Sequence, residues 1–170
     1  MSETLEPALP RELDRQAERA MRRLCDKGLT VATAESCTGG LLASLLTDIE
    51  GCGHGFDRGF VCYSSEAKRE LLGLPSQLVE RNDAVNAEVA EAMAEGALGK
   101  CAADIALSVT GFAGPAGKGC EEGLVFIACA RRGHETVIEE RHFGAIGRGP
   151  VRIKALKVLV DMMERAIDAA

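Results

Sequence analysis

Apolar residues follow two alternating patterns along the chain: some recur at helical spacing, and others form short continuous runs. Apolar positions three and four residues apart predict amphipathic helices. These helices cover residues 11–27, 38–48, 65–72, 86–98 and 150–167. The short runs over residues 29–34 and 104–110 predict buried strands, the first of them covered on both faces, and residues 60–63 predict a short β-rich strand.

Two further β-rich runs, residues 124–130 and 135–143, flank the turn Arg131–His134 and predict an antiparallel hairpin. Helices that alternate with buried strands predict a three-layer α/β/α sandwich. The hairpin makes its mostly parallel sheet of about five strands a mixed one, because a hairpin pairs its strands antiparallel. We assign residues 11–170 to this single domain and residues 1–10 to a leader.

Composition narrows the classes of partner. A net charge of -6 argues against a nucleic-acid-binding protein, which needs a basic face. No apolar run approaches the roughly 20 residues of a membrane helix, and the acidic N-terminus has no signal core, so we expect no membrane contact. Seven cysteines, an odd number, several of them inside apolar runs, fit reduced thiols and a cytoplasmic protein.

A metal site is not expected from the pattern of potential ligands. The chain has no CxxC pair, and His54, His134 and His142 are not spaced as metal ligands.

The stretch Thr33–Gly40 carries the most suggestive chemistry. It joins the first predicted strand to an apolar helix, with Thr38 as the predicted N-cap. That geometry places Ser36 and Cys37 beside the unpaired N–H groups of a helix N-terminus. A nucleophile and a site for developing negative charge therefore lie a few residues apart.

Two other features follow strands in the same way, the Tyr63–Ser64 junction and the glycine-rich loop 111–123. In open α/β sheets the binding crevice lies beyond the carboxyl ends of parallel strands. If the first three strands are parallel, the Ser36 turn and these two features converge there.

Ser36 needs a base in order to act as a nucleophile, and no histidine occupies a matching turn. Lys68 is the better partner, because a crowded lysine near a helix N-terminus can have a lowered pKa and accept a proton. Tyr63 could relay the proton between Ser36 and Lys68. Ordinary structural roles also fit each residue: a serine before a helix is usually a cap, and such a lysine is usually solvated. Cys37 is a rival nucleophile that would pack equally well as a small buried side chain.

Four segments, in order, resemble one known family. Residues 34–40 read AESCTGG and match the AESCTGG signature of the CinA C-terminal domain, the family of nicotinamide-nucleotide amidohydrolases. Residues 58–68 are similar to its RGFVTYSNEAK segment, and residues 111–115 to its GIAGP loop. Gly147-Arg148 with Val151-Arg152 resembles its closing DRxxVR pattern.

The resemblance implies an α/β/α sandwich that hydrolyses the carboxamide of nicotinamide mononucleotide to nicotinic acid mononucleotide and ammonia, without a metal or cofactor. The family's serine, tyrosine and lysine correspond to Ser36, Tyr63 and Lys68. Residues expected to bind substrate or the oxyanion are Cys37, Thr38, Gly39, Gly40, Gly111, Gly114, Arg148 and Arg152. The family also implies a homo-oligomer, and the chain resembles a stand-alone form of the domain.

One segment departs from the family pattern. Residues 116–123 are shorter than the family's glycine-rich run, lack its Lys-Pro-Val, and include Glu121 and Glu122, which would repel a phosphate. Lys118, Arg148 or Arg152 could offset that charge. The alternative function is therefore a catalytically silent paralogue that binds a nucleotide or acts as a scaffold.

Overall fold

The structure, a computed structural model, describes residues 9–81 and 84–169. Within those ranges the chain forms six α-helices and five strands. In order they are α1 (Arg11–Asp26), β1 (Val31–Glu35), α2 (Leu41–Thr47), β2 (Phe56–Val61), α3 (Ser65–Leu72), α4 (Ser76–Val79), α5 (Ala87–Gly99), β3 (Ile105–Gly111), β4 (Leu124–Arg131), β5 (Val137–His142) and α6 (Arg148–Asp168).

The five strands form one mixed sheet in the order β2-β1-β3-β4-β5. Strand β1 is parallel to both β2 and β3, whereas β4 is antiparallel to β3 and to β5. Glu35, the last residue of β1, pairs with Val61 on one side and Val109 on the other. The carboxyl ends of three neighbouring parallel strands therefore meet at one edge, as predicted for a binding crevice.

Helices cover both faces of the sheet, which confirms the three-layer sandwich. Val31 and Leu107 point to the face covered by α1, α2 and α6. Ala32 and Ala106, one position along each strand, point to the face covered by α3, α4 and α5. This alternation follows from the two-residue period of a strand. Strand β1 is buried throughout, which explains its nearly continuous apolar sequence.

Local signals set several helix ends where the sequence predicts them. The Ser64 hydroxyl accepts a hydrogen bond from Ala67 N–H, and Asn86 Oδ1 accepts one from Val89 N–H, so both residues are N-caps. Gly73 ends α3 in the left-handed conformation that glycine adopts without a steric penalty.

The structure corrects three boundaries. Strand β2 begins at Phe56, earlier than the predicted run 60–63, because this edge strand carries polar, exposed residues such as Asp57 and Arg58. A short helix, α4, replaces the turn expected over residues 77–81. The domain extends into the predicted leader 1–10, because Leu9 packs in the core. Residues 1–8 lie outside the described part of the chain.

No helix in the described part of the chain is both long and apolar enough to cross a membrane.

Candidate active site

Ser36 and Lys68 lie side by side at the crevice edge of the sheet. Ser36 is the first residue after β1, and its N–H donates to the carbonyl of Val109 at the end of β3 (3.0 Å). Lys68, on α3, places Nζ 3.2 Å from Ser36 Oγ. The lysine is 2% exposed and the serine 6%. The predicted nucleophile–base pair is thus in direct contact, and the solvated position expected by default for a surface lysine is wrong.

Burial lowers the pKa of the Lys68 ammonium from its ordinary value, while the thiols of Cys62 and Cys37 raise it. No carboxylate pairs with Lys68 among the described residues; its Nζ also donates a hydrogen bond to the carbonyl of Tyr63 (3.3 Å). A buried amine without a carboxylate partner favours its neutral form, and the neutral amine is the form that accepts a proton.

The structure does not place the Tyr63 phenol between Ser36 and Lys68. Tyr63 follows β2 rather than lying in it, and its side chain is 67% exposed. Its backbone carbonyl, not its hydroxyl, contacts Lys68. Because Lys68 Nζ contacts Ser36 Oγ directly, a proton can pass between them in this geometry without a relay through the Tyr63 phenol.

Cys37 is buried, at 3% exposed, and burial raises the pKa of its thiol to about 12, although Arg152 opposes that rise. The thiolate, which is the nucleophilic form of cysteine, is therefore rare at neutral pH. This weighs against Cys37 as the nucleophile and for its packing role beside Ser36.

A buried carboxylate that sequence reasoning missed organises the turn after β1. Glu35 is fully buried, and it accepts hydrogen bonds from Thr38 Oγ1 (2.6 Å) and from the N–H groups of Gly40, Leu42 and Ala43 (2.8–3.1 Å). An anion is favourable there, since the first N–H groups of a helix carry a partial positive charge. The sequence feature that could have indicated this role is a charged residue at the end of an otherwise apolar strand, three residues before a threonine.

Glu35 also explains why the predicted N-cap is wrong. Helix α2 begins at Leu41 rather than near Thr38, and Gly40 at its N-cap position has φ +94° and contributes no side-chain cap. The Thr38 hydroxyl donates to Glu35 instead of accepting from the helix. The carboxylate of Glu35 caps the helix from within the preceding strand.

This arrangement restricts the amides that could bind an oxyanion. Gly39 N–H donates to the carbonyl of Ser36 (3.1 Å), and Gly40 N–H donates to Glu35. Of the amides from Cys37 to Gly40, where the oxyanion is expected to bind, those of the two glycines already have acceptors. Gly39 and Gly40 adopt positive φ (+63° and +94°) and shape the turn instead.

The two arginines of the closing motif lie one turn apart on α6 and contact different loops. Arg152 Nε donates to the carbonyl of Cys37 (2.7 Å). Arg148 lies against the loop after β3, where its Nη2 is 2.8 Å from the position that a Cβ on Gly114 would take. Glycine at position 114 thus makes room for the guanidinium. Arg148 is exposed and has no hydrogen-bond partner among the described residues.

Gly111 has a packing role rather than a visible binding role. A Cβ at this last residue of β3 would lie 2.6 Å from the carbonyl oxygen of Leu124 and 2.8 Å from Val125 Cα. The close pairing of β3 with β4 therefore requires glycine. The acidic loop beyond it turns toward β5, where Glu121 Oε1 lies 2.8 Å from His142 Nδ1.

Comparison with known proteins gives a consistent result. The model of the CinA C-terminal domain matches residues 13–167. The crystal structure of competence/damage inducible protein CihA from Agrobacterium tumefaciens superposes with a TM-score of 0.90 at 37% identity, over 95% of this chain and 98% of that one. A CinA superfamily protein from Escherichia coli has a TM-score of 0.84 at 32% identity, over 90% of each chain.

The curated relatives are longer proteins. The chain is 40% identical over 168 residues to a CinA-like protein of Geobacter sulfurreducens, which is 97% of this chain and 40% of that protein. It spans between 27% and 40% of the length of four such relatives.

Proposed function

The chain belongs to the CinA C-terminal domain family, and we propose that it is an amidohydrolase that acts on the carboxamide of nicotinamide mononucleotide. The products are nicotinic acid mononucleotide and ammonia. The observation that carries the proposal is the buried Lys68 Nζ at 3.2 Å from Ser36 Oγ. A base within hydrogen-bond reach of a hydroxyl is the arrangement that a nucleophilic serine requires.

In the first half-reaction Ser36 Oγ attacks the carboxamide carbon while neutral Lys68 takes the hydroxyl proton. The carbonyl oxygen becomes an oxyanion in the tetrahedral intermediate. Lys68 then returns the proton to the amide nitrogen, the C–N bond breaks, and ammonia leaves. The remaining nicotinoyl group is an ester on Ser36. Ser–Lys pairs are a known variant of the nucleophile–base arrangement.

In the second half-reaction a water molecule attacks the ester carbon, and Lys68 accepts a proton from that water. Lys68 then protonates Ser36 Oγ as the ester bond breaks, and nicotinic acid mononucleotide leaves with the second proton of the water on its carboxyl group. Tyr63 stays in the proposal at the entrance to the crevice: its carbonyl holds Lys68, and its exposed phenol is free to meet substrate.

The charge of the substrate agrees with the position of Arg148. A guanidinium with no carboxylate partner, exposed beside Gly114, suits the phosphate of a mononucleotide. We place the substrate between this arginine and the Ser36 turn, since α6 contacts both loops.

Ammonia release from nicotinamide mononucleotide tests the proposal. Ser36→Ala should lower kcat by about a thousandfold or more, because the attacking atom is removed. Ser44→Ala is the matched control, since Ser44 is exposed on α2. No ammonia from the wild-type protein, or undiminished turnover in Ser36→Ala, would refute the proposed function.

A silent nucleotide-binding protein is the second candidate, favoured by Glu121 and Glu122 in the loop 112–123. It predicts that wild-type protein binds nicotinamide mononucleotide in a calorimeter without producing ammonia. Efficient deamidation of the same sample would eliminate it.

A further inference from the structure

Amides of the Ser36 turn are the nearest donors for an oxyanion formed by attack of Ser36, and three of them already have acceptors. Ser36 N–H donates to the Val109 carbonyl, and Gly39 N–H to the Ser36 carbonyl. Gly40 N–H donates to Glu35. The positive end of α2 is likewise neutralised, because Glu35 also accepts from amides in its first turn. Within this turn, an oxyanion can therefore use only the amides that remain.

The amides of Cys37 and Thr38 are the two that remain. The Cys37 N–H lies against the sulfur of its own side chain. The Thr38 N–H has no acceptor within the part of the chain that the structure describes. Thr38 is also held in place, because its hydroxyl donates to the buried Glu35. Its amide is thus a fixed and unpaired donor two residues after the nucleophile.

Arg152 binds the other end of the same peptide group. Its Nε donates to the Cys37 carbonyl at 2.7 Å. No peptide bond among the described residues is cis, so the Thr38 N–H points away from that carbonyl across a planar group. A cation on the carbonyl oxygen draws electron density toward it, which makes the N–H a stronger donor.

We propose that Arg152 is a positioning residue for the oxyanion site: it orients and polarises the Cys37–Thr38 peptide so that the Thr38 N–H stabilises the tetrahedral intermediate. This inference rests on the proposed function for its natural substrate, but it concerns any acyl group transferred to Ser36. It separates Arg152 from Arg148, although both lie on the first two turns of α6 and both could be assigned to the phosphate.

The surroundings of the two arginines support this separation. Arg152 is half-buried, and its Nη2 lies 3.7 Å from where a Cβ on Gly39 would be, so both Nε and Nη2 lie near the turn. Arg148 is exposed and lies against Gly114 in the loop after β3. A phosphate can therefore reach Arg148 without displacing an existing hydrogen bond, whereas Arg152 is already engaged.

The first experiment compares nicotinamide mononucleotide with nicotinamide riboside, which lacks the phosphate. Arg152→Gln should lower kcat by about ten- to a hundredfold for both substrates, with little change in the ratio of their KM values. Arg152→Lys should recover part of that kcat, because a cation can again approach the carbonyl. Arg148→Gln should raise KM for the mononucleotide more than for the riboside. A selective rise in KM for the mononucleotide in Arg152→Gln, with kcat intact, would overturn the inference.

The second experiment does not depend on the natural substrate. Purified protein is mixed with p-nitrophenyl acetate, and acylation of Ser36 is followed by nitrophenolate release and by mass spectrometry. Arg152→Gln should acylate about tenfold more slowly than wild type. The matched control is Arg19→Gln, an exposed arginine on α1, which should match wild type.

The two experiments separate the possible failures. If wild type is acylated but releases no ammonia from the mononucleotide, the proposed function fails while slower acylation of Arg152→Gln still supports the inference. If Arg152→Gln acylates at the wild-type rate, the inference fails even though the mononucleotide is hydrolysed. Thermal unfolding of each variant shows that the compared proteins are folded, and rescue by Arg152→Lys distinguishes an electrostatic effect from lost packing.

Discussion

The two loops that follow the neighbouring parallel strands β1 and β3 are built in opposite ways. The turn after β1, residues 36–40, is buried at its start and held by side chains from outside it: the carboxylate of Glu35 and the guanidinium of Arg152. The side chains that make these contacts, Glu35 and Arg152, are buried and half-buried respectively. The backbone that presents Ser36 is therefore restrained from several directions.

The loop after β3, residues 112–123, is held mainly at its two ends. Gly123 N–H donates to the carbonyl of Phe112, Phe112 N–H donates to the carbonyl of Leu124, and Gly123 packs closely on Gly144. Residues between them are largely exposed, with open space around Gly117 and Gly119. The ion pair of Glu121 with His142 is on the surface.

Under the proposed function, this difference assigns the chemistry to the first loop and the choice of substrate to the second. A restrained turn keeps the proposed nucleophile, base and oxyanion donor in fixed relative positions. A reaction slows when such groups move by an ångström. A loop fixed at its ends can change length and charge at little cost in folding free energy. The departure from the family pattern falls in this second loop, so it should affect KM before it affects kcat.

Removing the base beside the turn should have the largest effect. Lys68→Met keeps much of the buried volume but takes away the proton acceptor, and we expect kcat to fall by about a thousandfold in the ammonia assay. Lys157→Met, an exposed lysine on α6, is the matched control and should retain full activity. Comparable activity in the two variants would contradict the role of Lys68.

The same substitution should stabilise the fold at neutral pH. Burial lowers the pKa of Lys68 below its unfolded value near 10.5, so the folded state binds fewer protons than the unfolded state between the two pKa values. The free energy of unfolding of wild type should therefore rise with pH in that window. Lys68→Met should lack this rise and should have the higher thermal midpoint at pH 7. A lower thermal midpoint would indicate that the stabilising packing of the Lys68 methylene groups is larger than the cost of burying its charge.

Glu35→Ala should have the next largest effect. It should lower the free energy of unfolding, whereas a similar substitution in the opposite loop should not. It removes the acceptor of one hydroxyl and three amides, several of them buried, so we expect a loss of about 3 kcal/mol in the free energy of unfolding. Glu122→Ala in the opposite loop removes a side chain that has no hydrogen-bond or ion-pair partner among the described residues. It should change the free energy of unfolding by less than about 0.5 kcal/mol. Equal losses in urea titrations would remove the contrast between the loops.

A smaller effect is expected from paired glycine substitutions. Gly39→Ala forces a Cβ into positive φ (+63°), and should cost about 1 kcal/mol and lower kcat, because the turn must shift. Gly117→Ala meets open space at ordinary φ and should be neutral in both respects. A neutral Gly39→Ala would show that the turn is less restrained than its contacts indicate.

The smallest effect concerns the surface contact between Glu121 in the second loop and His142 at the end of β5. The hydrogen bond with Glu121 raises the pKa of His142, with Glu140 contributing as well. A raised pKa in a base stabilises the fold fully below the unfolded value near 6.5 and loses that effect as pH rises through the folded pKa. His142→Asn should therefore lower the thermal midpoint slightly at pH 5.5 and not at pH 8.5. A difference that is the same at both pH values would exclude protonation as its cause.

The sequence predicts those parts of the molecule whose periodicity and turn chemistry are local. The buried strand before Ser36, the Ser64 and Asn86 caps and the hairpin are of this kind, and the structure confirms them. The contact of Lys68 with Ser36 could be proposed because both follow strands that end at one edge of the sheet.

Contacts that depend on tertiary structure could not be read in the same way. Glu35 reads as a polar residue at a strand end, and only the fold shows that it caps the next helix. Tyr63 reads as the end of a strand, yet β2 is an edge strand that stops at Val61 and leaves the phenol in solvent. Arg152 lies 115 residues from the carbonyl that it binds, a separation that no local pattern spans.

The high pKa of Cys37 has a consequence for covalent labelling of this crevice. Because burial raises the pKa of the Cys37 thiol to about 12, this side chain is almost entirely protonated at pH 7. Thiol-directed alkylating agents and peroxide should therefore spare the residue next to the nucleophile. An acylating probe that modifies one side chain at this edge of the sheet should report on Ser36, so such a reagent can count competent sites even in oxidised samples.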